Sequence, residues 1–155
     1  MNNKQSTPII DAGWIFRHHN TGESQNTRLC VMLHGWTGDE TSMDIFLRAF
    51  PAGYLVISPR GPIAADEGGY GWVSYRPGTI APFPHYQAAA HNLSLLLERW
   101  IGQQNLPDNK ISVVGFSQGA AMALSYAVTF PERVDRVACI SGFLPQIDLP
   151  AAQTI

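Results

Sequence analysis

Ser117 stands in the run Gly115-Phe116-Ser117-Gln118-Gly119, with a glycine two residues to either side. The chemistry open to such a serine is nucleophilic attack on a carbonyl. The stretch before it, Ile111-Ser112-Val113-Val114, is apolar and β-branched; the stretch after it, Ala120-Ala121-Met122-Ala123-Leu124, is rich in helix formers. Strand, tight turn and helix therefore follow one another, with the serine at the apex. The two glycines leave no side chains where strand and helix crowd together, so the turn can hold Ser117 in a strained conformation with its hydroxyl pushed outward. A hydroxyl at the N-terminus of a helix is the usual arrangement of a nucleophile whose developing oxyanion meets backbone N–H groups. The blander alternative is a glycine-rich turn with an incidental serine. The strand–turn–helix flanks favour the nucleophile.

The remaining elements explain how that turn is held. Trp14 to His19 reads as a short strand and Asn20 to Thr27 as a turn. Leu29 to Leu33 is a continuous apolar run, as expected of a parallel strand buried on both faces, and it opens into the loop His34-Gly35-Trp36-Thr37-Gly38-Asp39. Thr41 and Asp44 mark a helix start, with Ile45, Phe46, Ala49 and Phe50 as its apolar stripe and Pro51 as its stop. Tyr54 to Ile57 is a second buried strand, closed by Ser58-Pro59-Arg60-Gly61-Pro62. From there to Pro84 the chain reads as loop, yet it carries Tyr70, Trp72, Tyr75 and Phe83, too many aromatics for a disordered segment. Tyr86 to Gln104 has the periodicity of a helix, with Leu93, Leu96, Leu97, Trp100 and Ile101 on one face. Asn105 to Asn109 is a turn, a helix runs from Ser117 to Phe130, and Val134 to Ile140 is the last strand. Alternating strands and helices predict an α/β protein with a mostly parallel sheet covered on both faces. Ligands in such sheets bind at the C-terminal strand ends, where His34-Gly35-Trp36, Arg60-Gly61, Ser117 and Ser141-Gly142 converge.

Composition narrows the classes of function. The 155 residues are 45% apolar, enough for one domain with a core, and the net charge is −2 with no run of Lys or Arg. A nucleic-acid or anionic-membrane partner is thereby disfavoured. Cys30 and Cys139 each lie in an apolar run and read as buried free thiols of a reducing compartment. The polar N-terminus lacks the apolar core of a signal peptide, and no stretch has the length of a transmembrane segment, so a cytoplasmic location is expected. No metal-ligand spacing and no phosphate-cradling loop occurs, so no metal or other cofactor is implied.

Five runs together resemble the phospholipase/carboxylesterase branch of the α/β-hydrolase fold, the group that includes acyl-protein thioesterases. They are LHGWTGDE (33–40), ISPRGP (57–62), GYGWVSY (69–75), GFSQGAAMAL (115–124) and SGFLP (141–145), in the family's order and approximate spacing. The resemblance implies a three-layer α/β-hydrolase fold and a serine carboxylic-ester hydrolase acting through an acyl-enzyme on Ser117. It implies an oxyanion hole from the backbone N–H groups of Trp36 and Gln118, with Trp36, Trp72 and Leu144 as expected walls of a substrate pocket. It also implies that His34 shapes the oxyanion loop rather than serving as base.

A serine hydroxyl needs a base, and the base an orienting carboxylate. In this fold both follow the serine, in the order Asp then His. After Ser117 the chain has Asp135, at the strand end away from the site, Asp148 in the polar tail, and no histidine; His18, His19, His34, His85 and His91 all precede the serine. His85 alone among the other four reaches toward the site edge and has no evident partner acid, His91 falls on the polar side of its helix, and His18 and His19 alternate on a strand. Residues 1–155 therefore read as a single, incomplete α/β-hydrolase domain that lacks the last two strands and final helix and holds the nucleophile and oxyanion half. Val134 to Ile140 becomes a bare sheet edge, open to self-association or to a chain that supplies Asp and His. The alternative is an inert hydrolase-like fragment or a domain that binds an acyl ligand or a protein partner. Aromatics near the site and few charges favour a small, uncharged acyl ester, with thioesters and lysophospholipids also open.

Overall fold

The computed structural model describes residues 7–22, 27–104 and 110–145. The turn expected at 105–109 and the tail that carries Asp148 lie outside the described residues. In chain order the strands are β1 (Ile9–Asp11), β2 (Trp14–Asn20), β3 (Arg28–Leu33), β4 (Tyr54–Pro59), β5 (Ile63–Ala64), β6 (Tyr70–Gly71), β7 (Ile111–Phe116) and β8 (Val134–Ile140). The α-helices are α1 (Phe83–Gln103) and α2 (Gln118–Thr129). One sheet runs in the order β1-β2-β4-β3-β7-β8, parallel from β4 through β8, with the β1–β2 hairpin antiparallel at one edge. The chain thus has an α/β-hydrolase-like fold with a mostly parallel central sheet and few helices.

The apolar runs become the central strands because burial on both faces suits them. Val31, Leu33, Ile57 and Val113 point to a face covered by α1 and α2, whose Tyr86, Leu93, Leu97, Trp100, Met122 and Tyr126 complete the main core. Cys30, Met32 and Val56 point to the opposite face, against Met43, Phe46, Leu47 and Phe50. Each face is thus drawn from alternate residues of the same strands.

Four expectations are corrected. The segment expected as an α-helix after Thr41 is a 3-10 turn, Asp44–Ala49. The Asp39 carboxylate, which accepts from the Thr41 N–H and hydroxyl at 2.9 and 2.7 Å, organises its approach. Both α-helices lie on one face, so among the described residues the other carries only this short segment and keeps a cavity of about 450 Å³ between Phe46, Phe50, Tyr54, Val114, Val137 and Ala138. Cys139, expected to be buried, is exposed, because β8 is an edge strand with most of its residues open to solvent; Cys30 is buried as expected. The long loop contains a small β5–β6 ladder, and α1 begins at Phe83 with Pro84 in its first turn, where a missing N–H costs nothing. No helix among the described residues is long and apolar enough to cross a membrane.

Candidate active site

The turn between β7 and α2 carries Ser117 at φ 51° and ψ −115°, a backbone conformation that L-residues avoid. The strain is held from both sides. The Ser117 N–H donates to the Ile140 carbonyl of β8 (2.9 Å), and its carbonyl accepts from the N–H groups of Ala120 and Ala121 (3.0 and 3.2 Å). A Cβ at position 115 would lie 2.1 Å from the Gly119 carbonyl oxygen; one at 119 would lie 2.1 Å from that of Leu33. Helix and strand can meet this closely only over glycine.

The loop after β3 passes directly beside the serine, since a Cβ on Gly35 would stand 3.3 Å from the Ser117 Cβ. Two backbone N–H groups here, on Trp36 and on Gln118 at the start of α2, have no hydrogen-bond partner among the described residues. Both are therefore free to meet a developing oxyanion.

His34 is buried and both of its ring nitrogens are engaged. Its Nε2 accepts from the Gly61 N–H (2.9 Å), so its Nδ1 carries the proton and donates to the Gly35 carbonyl (2.7 Å). Burial lowers its pKa, which keeps the ring neutral. The side chain ties the Gly35 loop to the one after β4 and has no nitrogen left to act as a base.

A second tie is ionic. Arg60 forks onto Glu40, Nε to Oε2 at 2.6 Å and a terminal nitrogen to Oε1 at 2.9 Å, while its guanidinium lies 4.5 Å from the centroid of the Tyr70 ring. The bond from Arg60 holds the Glu40 carboxyl below its usual pKa range. A depressed folded-state pKa contributes stability that is present above the unfolded value, about 4.3, and is lost as the pH falls through the folded value. The Arg60→Met variant strands a carboxylate whose residue is 4% exposed. The expected loss is roughly 2–3 kcal/mol at pH 7, somewhat under the figure for a fully buried pair because the Arg60 side chain keeps 23% exposure. Urea midpoints taken at pH 7 and pH 4 check this, since the variant should lose less on acidification than the parent.

The aromatic loop closes over the serine. Gln118, 4% exposed, accepts from the Trp72 N–H through Oε1 (2.8 Å) and donates from Nε2 to the Val73 carbonyl (2.9 Å). Beside it is a cavity of about 480 Å³ that reaches Ser117 and is walled chiefly by Trp36, Val73, Tyr75, Ile80, Tyr86 and Phe143. Trp36 is placed as expected, with its ring 5.6 Å from that of Tyr75. The other two expected walls are corrected. Trp72 is buried beneath the loop, its indole N–H donating to the His34 carbonyl (2.7 Å), so it braces the loop after β3 and does not line the cavity. Leu144 is 64% exposed and lies off the cavity; its neighbour Phe143 takes the wall position, with its ring edge toward Tyr86 at 6.3 Å. Sequence reasoning missed Tyr86 and Ile80 as well. Tyr86 entered only as the first residue of the expected helix, outside its apolar stripe, and Ile80 carried no signal among the prolines and glycines.

No histidine or carboxylate lines this cavity among the described residues. His85 is exposed, His91 packs its ring on Phe130 (5.0 Å), His18 sits against Trp100 (5.8 Å), and His19 faces Asp44 (3.4 Å) on the other side of the sheet. Asp135 is exposed near the start of β8, at the end of the sheet away from Ser117.

Known proteins share this fold. The crystal structure of a carboxylesterase from Mesorhizobium loti superposes with a TM-score of 0.80 at 20% identity, over 94% of this chain and 68% of that one. The Bacillus cereus carboxylesterase does so with a TM-score of 0.78 at 17% identity, over 90% and 65%. Acyl-protein thioesterase 1 of Debaryomyces hansenii is 32% identical over 95 residues, 57% of this chain and 40% of that protein. A serine hydrolase-like protein of Danio rerio is 27% identical over 121 residues, 76% and 32% respectively. The chain spans about a third to two-fifths of the length of these two curated relatives. The family model for Phospholipase/Carboxylesterase matches residues 20–153, and with nearly the whole chain so matched, it belongs to that family of carboxylesterase- and thioesterase-type hydrolases.

Proposed function

We propose that this chain is the nucleophile and oxyanion portion of a serine carboxylic-ester hydrolase that works through an acyl-enzyme on Ser117. The observation that carries the reading is the strained φ of 51° at Ser117, beside two unpartnered N–H groups and an aromatic cavity. In the reaction the Ser117 Oγ bonds to the carbonyl carbon while its proton passes to a base. The carbonyl oxygen becomes an oxyanion held by the Trp36 and Gln118 N–H groups. The tetrahedral centre then collapses, the bond to the alkoxide or thiolate leaving group breaks, and that group takes the proton. Water and the same base later release the acid. A small, uncharged acyl ester or thioester suits the cavity, whose described walls carry no charged side chain. The free thiols of Cys30 and Cys139 suit a cytoplasmic setting.

The base and its carboxylate are assigned to polypeptide that adds onto β8. About a third of the Mesorhizobium loti chain has no counterpart in the matched region, and among the described residues β8 pairs only with β7. Until that edge is covered, this portion is an incomplete domain and its free strand favours self-association. Sedimentation is expected to give a mass that rises with concentration, and Ala138→Lys, a charge on the open strand, is expected to hold the chain at monomer mass. A parent that stays monomeric at high concentration would remove self-association from the reading.

The described wall residues include no histidine or carboxylate, which favours a second reading, an acyl-binding domain without turnover. The two are separated by incubating the chain with p-nitrophenyl butyrate and excess imidazole as an external base, then reading its intact mass. A butyryl adduct mapped to Ser117 supports the acyl-enzyme, and an unmodified Ser117 under those conditions leaves the binding domain.

A further inference from the structure

Tyr86 is the exception in the wall of the Ser117 cavity. It rises from the first turn of α1, is 1% exposed, and packs its ring edge-on to Phe143. Among the described residues its hydroxyl has no hydrogen-bond partner. The other buried polar wall residue, Gln118, spends both ends of its amide on Trp72 and Val73, and the Thr79 hydroxyl donates to the Arg76 carbonyl. A phenol sealed in apolar core forfeits its hydrogen bond, and tyrosine in such places usually keeps a partner for its hydroxyl. Tyr86 lines the cavity that reaches Ser117, so a ligand there can be the partner its hydroxyl lacks among the described residues.

We propose that the Tyr86 hydroxyl is the polar anchor of this cavity, donating a hydrogen bond to an oxygen atom carried by an otherwise apolar acyl group some bonds beyond the carbonyl that Ser117 attacks. This rests on the acyl-enzyme reading for the word acyl, though not for the binding itself. The substrate class is then hydroxy-, oxo- or alkoxyacyl esters, in preference to plain alkanoyl esters. Burial pushes the Tyr86 pKa up to about 12, so the group stays a neutral donor across the physiological range. Acyl groups ending in a carboxylate are disfavoured, because no cationic side chain among the described walls would compensate their desolvation. Tyr86 in this role is a specificity residue: it selects what lies beyond the carbonyl and takes no part in bond making.

The test is equilibrium binding to the full chain, read by quenching of tryptophan fluorescence, with Trp36 in the cavity wall as reporter. Three ligands share a phenyl ring and a short chain: 4-phenylbutan-2-one, 2-phenylethyl methyl ether and butylbenzene, the last with no oxygen. Tyr86→Phe keeps the ring and its packing and removes only the hydroxyl. The variant is expected to weaken at least one oxygen-bearing ligand about tenfold, the equivalent of one hydrogen bond, while leaving butylbenzene within about twofold. Equal changes for all three ligands, or no binding of any of them, would overturn the proposal. Repeating the series on Ser117→Ala separates the two claims, since the Tyr86 preference should persist there even if Ser117 never forms an adduct.

Discussion

In the Ser117→Ala variant, the butyryl adduct expected on the parent chain in p-nitrophenyl butyrate and imidazole should be absent altogether, while slow ester hydrolysis by the two proteins stays within about threefold. The contrast follows from the site. Serine hydrolases stripped of one triad member keep roughly 10³–10⁴-fold acceleration over water, supplied by the oxyanion donors and by binding. Under the proposed reading the Trp36 and Gln118 N–H groups are those donors, and neither they nor the cavity depends on the Ser117 hydroxyl. Turnover without an added base should therefore be low and nearly indifferent to the substitution. The adduct is different in kind, because only an oxygen at position 117 can carry it, and removing the imidazole before the mass is read leaves deacylation without its base. Intact-mass measurement and a parallel absorbance assay read the two quantities separately. Fast turnover that collapses in Ser117→Ala without imidazole would mean that this chain already possesses a base.

Gly119→Ala is expected to destabilise the fold by about 3–4 kcal/mol, toward the upper end of what single substitutions do. The added methyl would stand 2.1 Å from the Leu33 carbonyl oxygen and 2.5 Å from that of His34. Both obstacles are backbone, so no side-chain rotation relieves the clash; α2 must move away from β3 instead. That movement would also pull the Gln118 N–H away from Trp36, so the butyryl adduct should form more slowly in whatever fraction folds. Gly102→Ala is the matched control. Its added methyl meets nothing within 4 Å near the end of α1, and replacing a helical glycine is expected to stabilise by about 0.5–1 kcal/mol. Urea titration of both variants checks the pair, and a Gly119→Ala loss under about 1 kcal/mol would show that strand and helix can separate without the turn giving way.

Much of this architecture was legible because it is written locally. The β-branched runs at Leu29, Tyr54 and Ile111 become the parallel strands, and the loops at their ends meet where such sheets gather their ligands. His34 was legible as a loop residue from its position before Trp36. The cover on each face of the sheet was not. A 3.6-residue period says that a helix has an apolar side but not which face of a distant sheet receives it, so α1 and α2 both on one face went unforeseen. Cys139 illustrates the same limit: an apolar strand run implies burial only if strands or helices cover it, and β8 has one neighbour among the described residues.

For the turn that carries Ser117 the sequence went far. Gly115 makes room for the Gly119 carbonyl and for Ala120 a few residues on, which is a local matter, and Gly119 keeps α2 clear of the Leu33 and His34 carbonyls, a contact that any strand packed under this turn would demand. Which aromatics meet that serine is another matter. Trp72 rather than Trp36 turns inward, Phe143 rather than Leu144 forms the wall, and Gln118 reaches 46 residues back to hold Trp72 in place. Those choices depend on how two loops from different strand ends pack over one another, and that is decided only once the sheet has brought them together.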